Sequence, residues 1–491
     1  MTNNSSTNRM ALFALFCLFF MWGFMTVIND VLMPHLKERF VLTYLQTSLV
    51  QSAFFGAYFI GSLIYFLVSV ATGDPIRRIG YKNGILLGLG VSALGAASFF
   101  PAAIGNAYWP YLLALFVLGL GFTMLQIAAN PYVAIIGKPE TASSRLNLAQ
   151  GFNSLGTTLG PLIGGYLIFK YFAGAEAVKW PYLSMAIILL LLGLLFVFTS
   201  LPKVVSSEKI EPGFGSLKYR QLRFGIIAIF VYVGGEVAIG SYLINFIGLK
   251  EVMDFPQDEA KNFLAWYWGG LMIGRFMGSI SLGEIQDTVK KYGFMLLAAI
   301  GCAALIFFAD AINRGIFAEG VDAGVVLDIL SWEILPWLGF VALNFVVFIL
   351  GKGMPARTLA IFASVVILLL ITGILTTGSL AFYAILAIGL FNSIMWSNIF
   401  TLSIDGLGKY TSQGSSLLVM AIVGGAVVPF LQGGLADYLA GVIGKGPDSG
   451  LQLSFIIPML CYVYILFYGL SGYKHKENTE AAINEIGDVR A

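Results

Sequence analysis

Residues 10–34 read MALFALFCLFFMWGFMTVINDVLMP, a run with no charge before Asp30. About 20 such residues cross a bilayer as a helix. On that helix Trp22, Thr26, Asn29 and Asp30 fall at i, i+4, i+7 and i+8, so they share one face. A carboxylate inside a membrane helix costs about 2.5–3.5 kcal/mol on insertion scales, and such residues face a protein interior or a wet cavity where ions move. The stretch predicts a spanning helix with one functional face, and the rest of the chain as the cavity that Asp30 serves. The competing reading is a carboxylate at the membrane edge, near Pro34 and Lys37.

Working outward, the 491 residues are 58% hydrophobic and only 11% charged, against about 25% charged in soluble domains. Mean hydropathy is +0.85. The composition describes a polytopic membrane protein in a lipid bilayer. The net charge of +2 contains no basic block that would suggest nucleic acid. Cys17, Cys302 and Cys461 match no metal or redox spacing, so neither a metal site nor a cofactor is expected. The polar tail Thr2–Asn8 precedes a run too long for a signal peptide, which is read as a retained helix. His35 and His475 lie outside the spans, which argues against an intramembrane enzyme.

Apolar runs near 10–34, 46–70, 83–104, 109–136, 143–171, 181–201, 221–249, 262–284, 293–312, 333–351, 356–375, 379–404, 413–441 and 451–473 predict about 14 spans. With both ends cytoplasmic, inside segments hold about 19 Lys and Arg against about 8 outside. Leu201–Arg223 is the longest basic loop and the natural boundary between two halves.

The halves repeat weakly. Phe55–Ser62 resembles Trp268–Arg275 at an offset of about 213 residues, whereas Gly156, Pro161 and Gly164-Gly165 match Gly424, Pro429 and Gly433-Gly434 at about 268. An inserted helical hairpin near 293–351 accounts for the jump. Six plus six spans in parallel repeat describe the major facilitator fold. The domains are then a six-helix bundle over 1–201, a cytoplasmic linker over 202–220, a second bundle over 221–473 containing the hairpin, and a cytoplasmic tail over 474–491. The loop Gly73-Asp74-Pro-Ile-Arg77-Arg78-Ile-Gly80-Tyr-Lys82 looks like a degenerate form of that superfamily's basic signature. It is either a charge-paired latch or plain positive-inside orientation.

Polar residues recur at mid-span. Gln126 and Asn130 are i, i+4, and the following Pro131 is expected to kink or unwind its turn. Asn147, Gln150, Ser154 and Thr157 form a stripe with Asn153 at its edge. Asn392 and Trp396 are i, i+4 on a later span. Amides donate and accept, as a polyhydroxyl ligand requires, and Trp22, Trp266, Trp268 and Trp396 offer rings for sugar faces. Glycines at 156–165 and 424–434 read as close helix packing. Glu236 is a second acid within a span, and Arg275 is assigned to Glu284 or to a carbonyl.

Asn29-Asp30-Val-Leu-Met-Pro34, Ala128-Ala129-Asn130-Pro131, Leu146-Asn147-Leu-Ala-Gln150-Gly-Phe-Asn153-Ser and Phe391-Asn392-Ser393-Ile394 resemble the fucose–galactose–glucose:proton symporter family, closest to its glucose/galactose branch. The resemblance implies an acid for proton coupling at Asp30 and sugar contacts at Trp22, Gln150 and Asn153. Fucose-transporting members carry glutamate where this chain has Gln126 and glutamine where it has Glu236; sodium coupling is also implied for some glucose relatives. The expected function is a monosaccharide:cation symporter of the inner membrane, both termini cytoplasmic and monomeric. It would use H+ or Na+, with Trp22, Gln126, Asn130, Gln150, Asn153, Asn392 and Trp396 for sugar and Asp30 and Glu236 for the cation. Alternatives are fucose, another hexose or an N-acetylhexosamine as substrate, and a sugar sensor without turnover. A drug antiporter fits the amides poorly.

Overall fold

The computed structural model describes residues 9–41, 44–105, 107–167, 172, 176–199, 201, 213–313, 333–444 and 450–475. Within them, several side chains lie outside the description, those of Asn29 and Asp30 among them. The tail 1–8, most of the linker, the loop 314–332 and residues 476–491 also lie outside it.

The first half contains α1 (Arg9–Phe40), α2 (Tyr44–Thr72), the short α3 (Pro75–Ile79), α4 (Tyr81–Ala97), α5 (Phe99–Gly105), α6 (Tyr108–Ile135), α7 (Ala142–Tyr166) and α8 (Glu176–Phe198). The second contains α9 (Arg220–Ile247), α10 (Gln257–Ser281), α11 (Thr288–Asn313), α12 (Leu335–Gly351), α13 (Pro355–Leu375), α14 (Gly378–Asn392), α15 (Met395–Ile404), α16 (Thr411–Met420), α17 (Gly424–Ile443), α18 (Leu451–Ser454) and α19 (Ile456–Phe467).

Among the described residues, 11 helical stretches are long and apolar enough to cross a membrane. This is fewer than the 14 expected. Helices α7, α10 and α12 account for the difference. The first two contain enough polar and charged residues to lower their hydropathy, and α12 has only 17 residues.

Small residues bring the helices together. A methyl group on Gly156 would strike the Phe20 carbonyl, which seats α7 on α1. One on Gly424 would strike the Phe230 carbonyl, which seats the start of α17 on α9. These are the repeat-related positions read as packing glycines, and lipid-embedded helices associate by such close backbone approach. Gly389 meets the Tyr267 carbonyl in the same way and locks α14 onto α10.

One local expectation is narrowed and one is corrected. Helix α6 continues through Pro131 to Ile135 without unwinding. The span that was to carry Asn392 and Trp396 on one continuous helix is instead broken between Asn392 and Met395.

The two halves meet at one end. Lys138 Nζ pairs with Glu284 at 2.9 Å, Ser143 and Thr401 share a hydrogen bond of 2.6 Å, and Asn147 Nδ2 donates to Asn398 Oδ1 at 3.1 Å. Ser144 donates to the Ser279 carbonyl. The linker's end tucks beneath, with Gly213 N donating to the Val70 carbonyl at 2.8 Å and Gln413 Oε1 accepting from Ser216 N at 3.1 Å. Glu284 is therefore the partner of Lys138 and not of Arg275.

The 73–82 loop belongs to this end. Asp74 N-caps α3 through Ile76 N at 3.1 Å and accepts from the Tyr65 hydroxyl at 2.5 Å. Ser412 and the Gln413 backbone N–H, at the start of α16, also face the carboxylate. A helix start carries partial positive charge, which an anion complements. Burial nevertheless pushes the Asp74 carboxyl above its ordinary value, opposed by those donors.

Candidate functional site

Two polar clusters form, one in each half. In the first half the Trp22 indole donates to the Tyr58 hydroxyl at 3.2 Å, and Gln126 and Thr26 approach the same hydroxyl. Trp22 stands against Phe19 at 5.4 Å between ring centroids. The Asn153 amide donates to the Phe19 carbonyl at 3.1 Å, tying α7 to α1 beside Trp22. Trp22, Gln126, Gln150 and Asn153 thus occupy the facing helices α1, α6 and α7. Gln126 and Gln150 are both buried.

In the second half the cluster is built on the break between α14 and α15. A helix break inside a bilayer frees carbonyls that need donors. Here side chains supply them. The Asn392 carbonyl accepts from Tyr232 at 3.0 Å, the Ser393 carbonyl from Arg275 Nε at 3.2 Å, and the Leu390 carbonyl from Asn344 Nδ2 at 3.1 Å. The Asn392 side chain donates to the Tyr267 hydroxyl at 2.9 Å and accepts from Tyr462 at 2.7 Å. Glu236 is buried, accepts from the Tyr232 hydroxyl at 2.6 Å, and sits where its backbone carbonyl accepts from Tyr267 at 3.0 Å. Asn392 and Glu236, distant in sequence, are therefore members of one network.

Arg275 links the clusters. Its guanidinium reaches Ser154 Oγ at 2.5 Å and the Gln150 carbonyl at 3.5 Å on α7, while holding Ser393 on its own side. It also interacts electrostatically with Glu236.

Two expected site residues stand apart from these contacts, and a third cannot be placed. Trp396 is buried and stacks on Phe400 at 5.0 Å. Asn130 is fully buried, and neither amide atom has a partner in the described structure. Asp30 is on α1, but its side chain lies outside the described residues. Of the other indoles, Trp266 is buried against α11 and α12, whereas Trp268 stays 36% exposed. The sequence reading did not identify Tyr58, Tyr232, Tyr267 or Tyr462. Tyr232 was within reach of it, since it lies one turn before Glu236 on the same helix.

Among the described residues, no group of three or more His, Cys, Asp or Glu could hold a metal ion. The three cysteines are free thiols. What the arrangement offers is neutral donors and acceptors in both halves, one buried acid, and one cation spanning the boundary.

Known proteins share this architecture. The model of the Major Facilitator Superfamily matches residues 11–327. A glucose/galactose transporter of Brucella abortus is 41% identical over 485 residues, covering 96% of each chain. A putative glucose/galactose transporter of Helicobacter pylori is 36% identical over 487 residues, covering 96% of this chain and 99% of its own. The L-fucose-proton symporter of Escherichia coli is 28% identical, covering 93% and 92%. The crystal structure of the transporter FucP in the outward conformation superposes with a TM-score of 0.70 at 26% identity, over 96% of this chain and 99% of FucP. With its helices paired by small residues, its halves joined at one end and its relatives matched along nearly their whole length, the chain belongs to the major facilitator superfamily, in the group that holds glucose/galactose transporters and fucose–proton symporters.

Proposed function

We propose that this protein imports a neutral monosaccharide, glucose or galactose, together with a proton or a sodium ion. The two halves would rock about a site between them. The observation that carries the reading is the joining of Glu236 and Asn392 by two tyrosines: Tyr232 bridges the Glu236 carboxylate and the Asn392 backbone carbonyl, and Tyr267 bridges the Asn392 amide and the Glu236 backbone carbonyl. Sugar contacts come from Trp22, Gln126, Gln150 and Asn153 on one side and Asn392 on the other, with Asn130 and Trp396 entering as the halves move. Asp30 and Glu236 serve the cation. The joined end, with the 73–82 loop, is the cytoplasmic one, both termini are cytoplasmic, and the membrane is the bacterial inner membrane. The protein acts as a monomer with six spans in the first half and eight in the second.

The wide coverage of glucose/galactose relatives supports the substrate class. Glutamine at 126 and glutamate at 236, the reverse of the fucose pattern, support a coupling site partly moved into the second half. The test is uptake of labelled D-glucose and D-galactose into reconstituted vesicles with pH and sodium gradients imposed separately. Accumulation driven by one gradient is expected. Equilibration alone under both gradients would overturn the coupling, and no uptake of either sugar would overturn the substrate.

A further inference from the structure

Helices α11 and α12 form the hairpin that the repeat offsets mark as an insertion, and they carry none of the residues assigned above to sugar or cation. They grip the site from behind at two points. Asn344, fully buried in the apolar helix LPWLGFVALNFVVFILG, donates to the Leu390 carbonyl at 3.1 Å, two residues before Asn392. Asp310, buried near the end of α11, accepts the Trp266 indole N–H at 3.2 Å, one residue before Tyr267. The Trp266 ring packs between Phe307 at 5.3 Å and Trp337 at 5.5 Å. Adjacent residues on a helix point about 100° apart, so Trp266 faces the added pair while Tyr267 turns inward to Asn392.

We infer that α11 and α12 form a buttress that fixes the Tyr267–Asn392 contact, with Asn344 as a positioning residue for substrate binding. The argument starts from cost. An amide in the middle of a membrane helix needs a partner, and a filler hairpin packs without one. Asn344 uses its amide on one of the three carbonyls at the α14–α15 break that take side-chain donors, that of Leu390, which also accepts from the Ser393 hydroxyl at 2.7 Å. Of the other described donors, Ser393 lies in the break itself, and Tyr232 and Arg275 come from α9 and α10, the helices that carry the site. Asn344 comes from outside it. Asn344 sets the rotation of α14 at Asn392, and Asp310 sets that of α10 at Tyr267. The distance between the two site residues is then held by a frame that does not itself touch sugar.

The kinetic readout rests on the sugar-transport reading; the exchange readout below does not. In full-length protein reconstituted in vesicles, Asn344→Leu removes the donor and keeps the bulk. KM for D-glucose and D-galactose is expected to rise about tenfold, as loss of one well-placed hydrogen bond implies, with the maximal rate within about twofold. Asp310→Asn is expected to shift KM in the same direction. Asn344→Leu combined with Asn392→Ala should be no worse than Asn392→Ala alone, because the two act through one contact. Backbone hydrogen exchange at 389–395 should quicken about tenfold in Asn344→Leu, with or without sugar. Unchanged KM, or additive effects in the double variant, overturns the positioning role. If the wild type transports neither sugar, the transport reading fails, and exchange alone decides the buttress: unchanged protection at 389–395 sinks it and quickened exchange supports it.

Discussion

Asn147 on α7 donates to Asn398 on α15 at 3.1 Å, and both side chains are fully buried at the boundary between the halves. Each is also tied to its own half, Asn147 through the Ser143 carbonyl at 2.8 Å and Asn398 through the Pro355 carbonyl at 3.2 Å. The joined end of the boundary is thus held by neutral amides within, with the exposed Lys138–Glu284 pair at its rim.

That division predicts unequal mutant effects. Asn398→Leu should weaken the joined arrangement by about 1–2 kcal/mol, because Asn147 loses a buried partner. Its Oδ1 already lacks one in the described structure. Thiol labelling of a cysteine placed near Ser143 would read the loosening as faster modification. An unchanged labelling rate would contradict the seam.

The rim pair Lys138–Glu284 should matter much less. Its side chains are 55% and 46% exposed, and exposed pairs contribute about 0–1 kcal/mol. Glu284→Gln is expected to leave labelling near wild type, and whatever effect remains should fade at high salt.

Glu236→Gln keeps the shape of the side chain and its capacity to accept from Tyr232. If Glu236 serves the cation, gradient-driven accumulation should fall at least about tenfold, while sugar exchange across vesicles without a gradient stays within about threefold. Full accumulation in the variant would leave Asp30 as the remaining candidate.

Asp74 gives a pH signature with a defined sign. Its carboxyl is raised by burial in the joined arrangement, so that arrangement binds the proton more tightly than an opened or unfolded one. Stability from this group therefore increases as pH falls through the raised value, and the gain is complete below the ordinary carboxylate range. Asp74→Asn should flatten that part of the pH profile of thermal unfolding. An identical slope in both proteins would refute the assignment.

Glycine substitutions separate packing from propensity. Gly156→Ala forces a methyl onto the Phe20 carbonyl and should cost about 2 kcal/mol or more. Gly90 on α4 has nothing within 4 Å of the added methyl, so Gly90→Ala should be neutral or stabilising by up to about 1 kcal/mol. Thermal unfolding of the two variants in detergent gives the comparison.

Much of the fold was legible because hydrophobic runs of bilayer length admit few alternatives. Helices α7 and α10 were read as apolar runs although their hydropathy is poor, and α7 shows in addition a polar stripe at helical spacing. The break after Asn392 was not. No proline or glycine marks it; it depends on donors from Tyr232, Arg275 and Asn344, far away in sequence. Pro131 shows the converse, a strong local signal inside an uninterrupted helix. For the site, amides and acids could be read from their rarity in apolar spans. The tyrosines could not, because a tyrosine in a membrane helix is unremarkable until its hydroxyl is seen to join Glu236 to Asn392. Of the two partners offered for Arg275, the carbonyl holds, on Ser393 and Gln150, and Glu284, suggested by nearness in sequence, pairs with Lys138 instead.

The contacts at Gly156 and Gly424 set carbonyl against helix with no side chain between them. Such joints contain no cushion. Torque applied to α1 passes to α7, and torque on α9 passes to α17, without being absorbed on the way. Each bundle then behaves as a stiff lever, and the yielding part of the machine is confined to the thin amide-lined surface where the two levers touch.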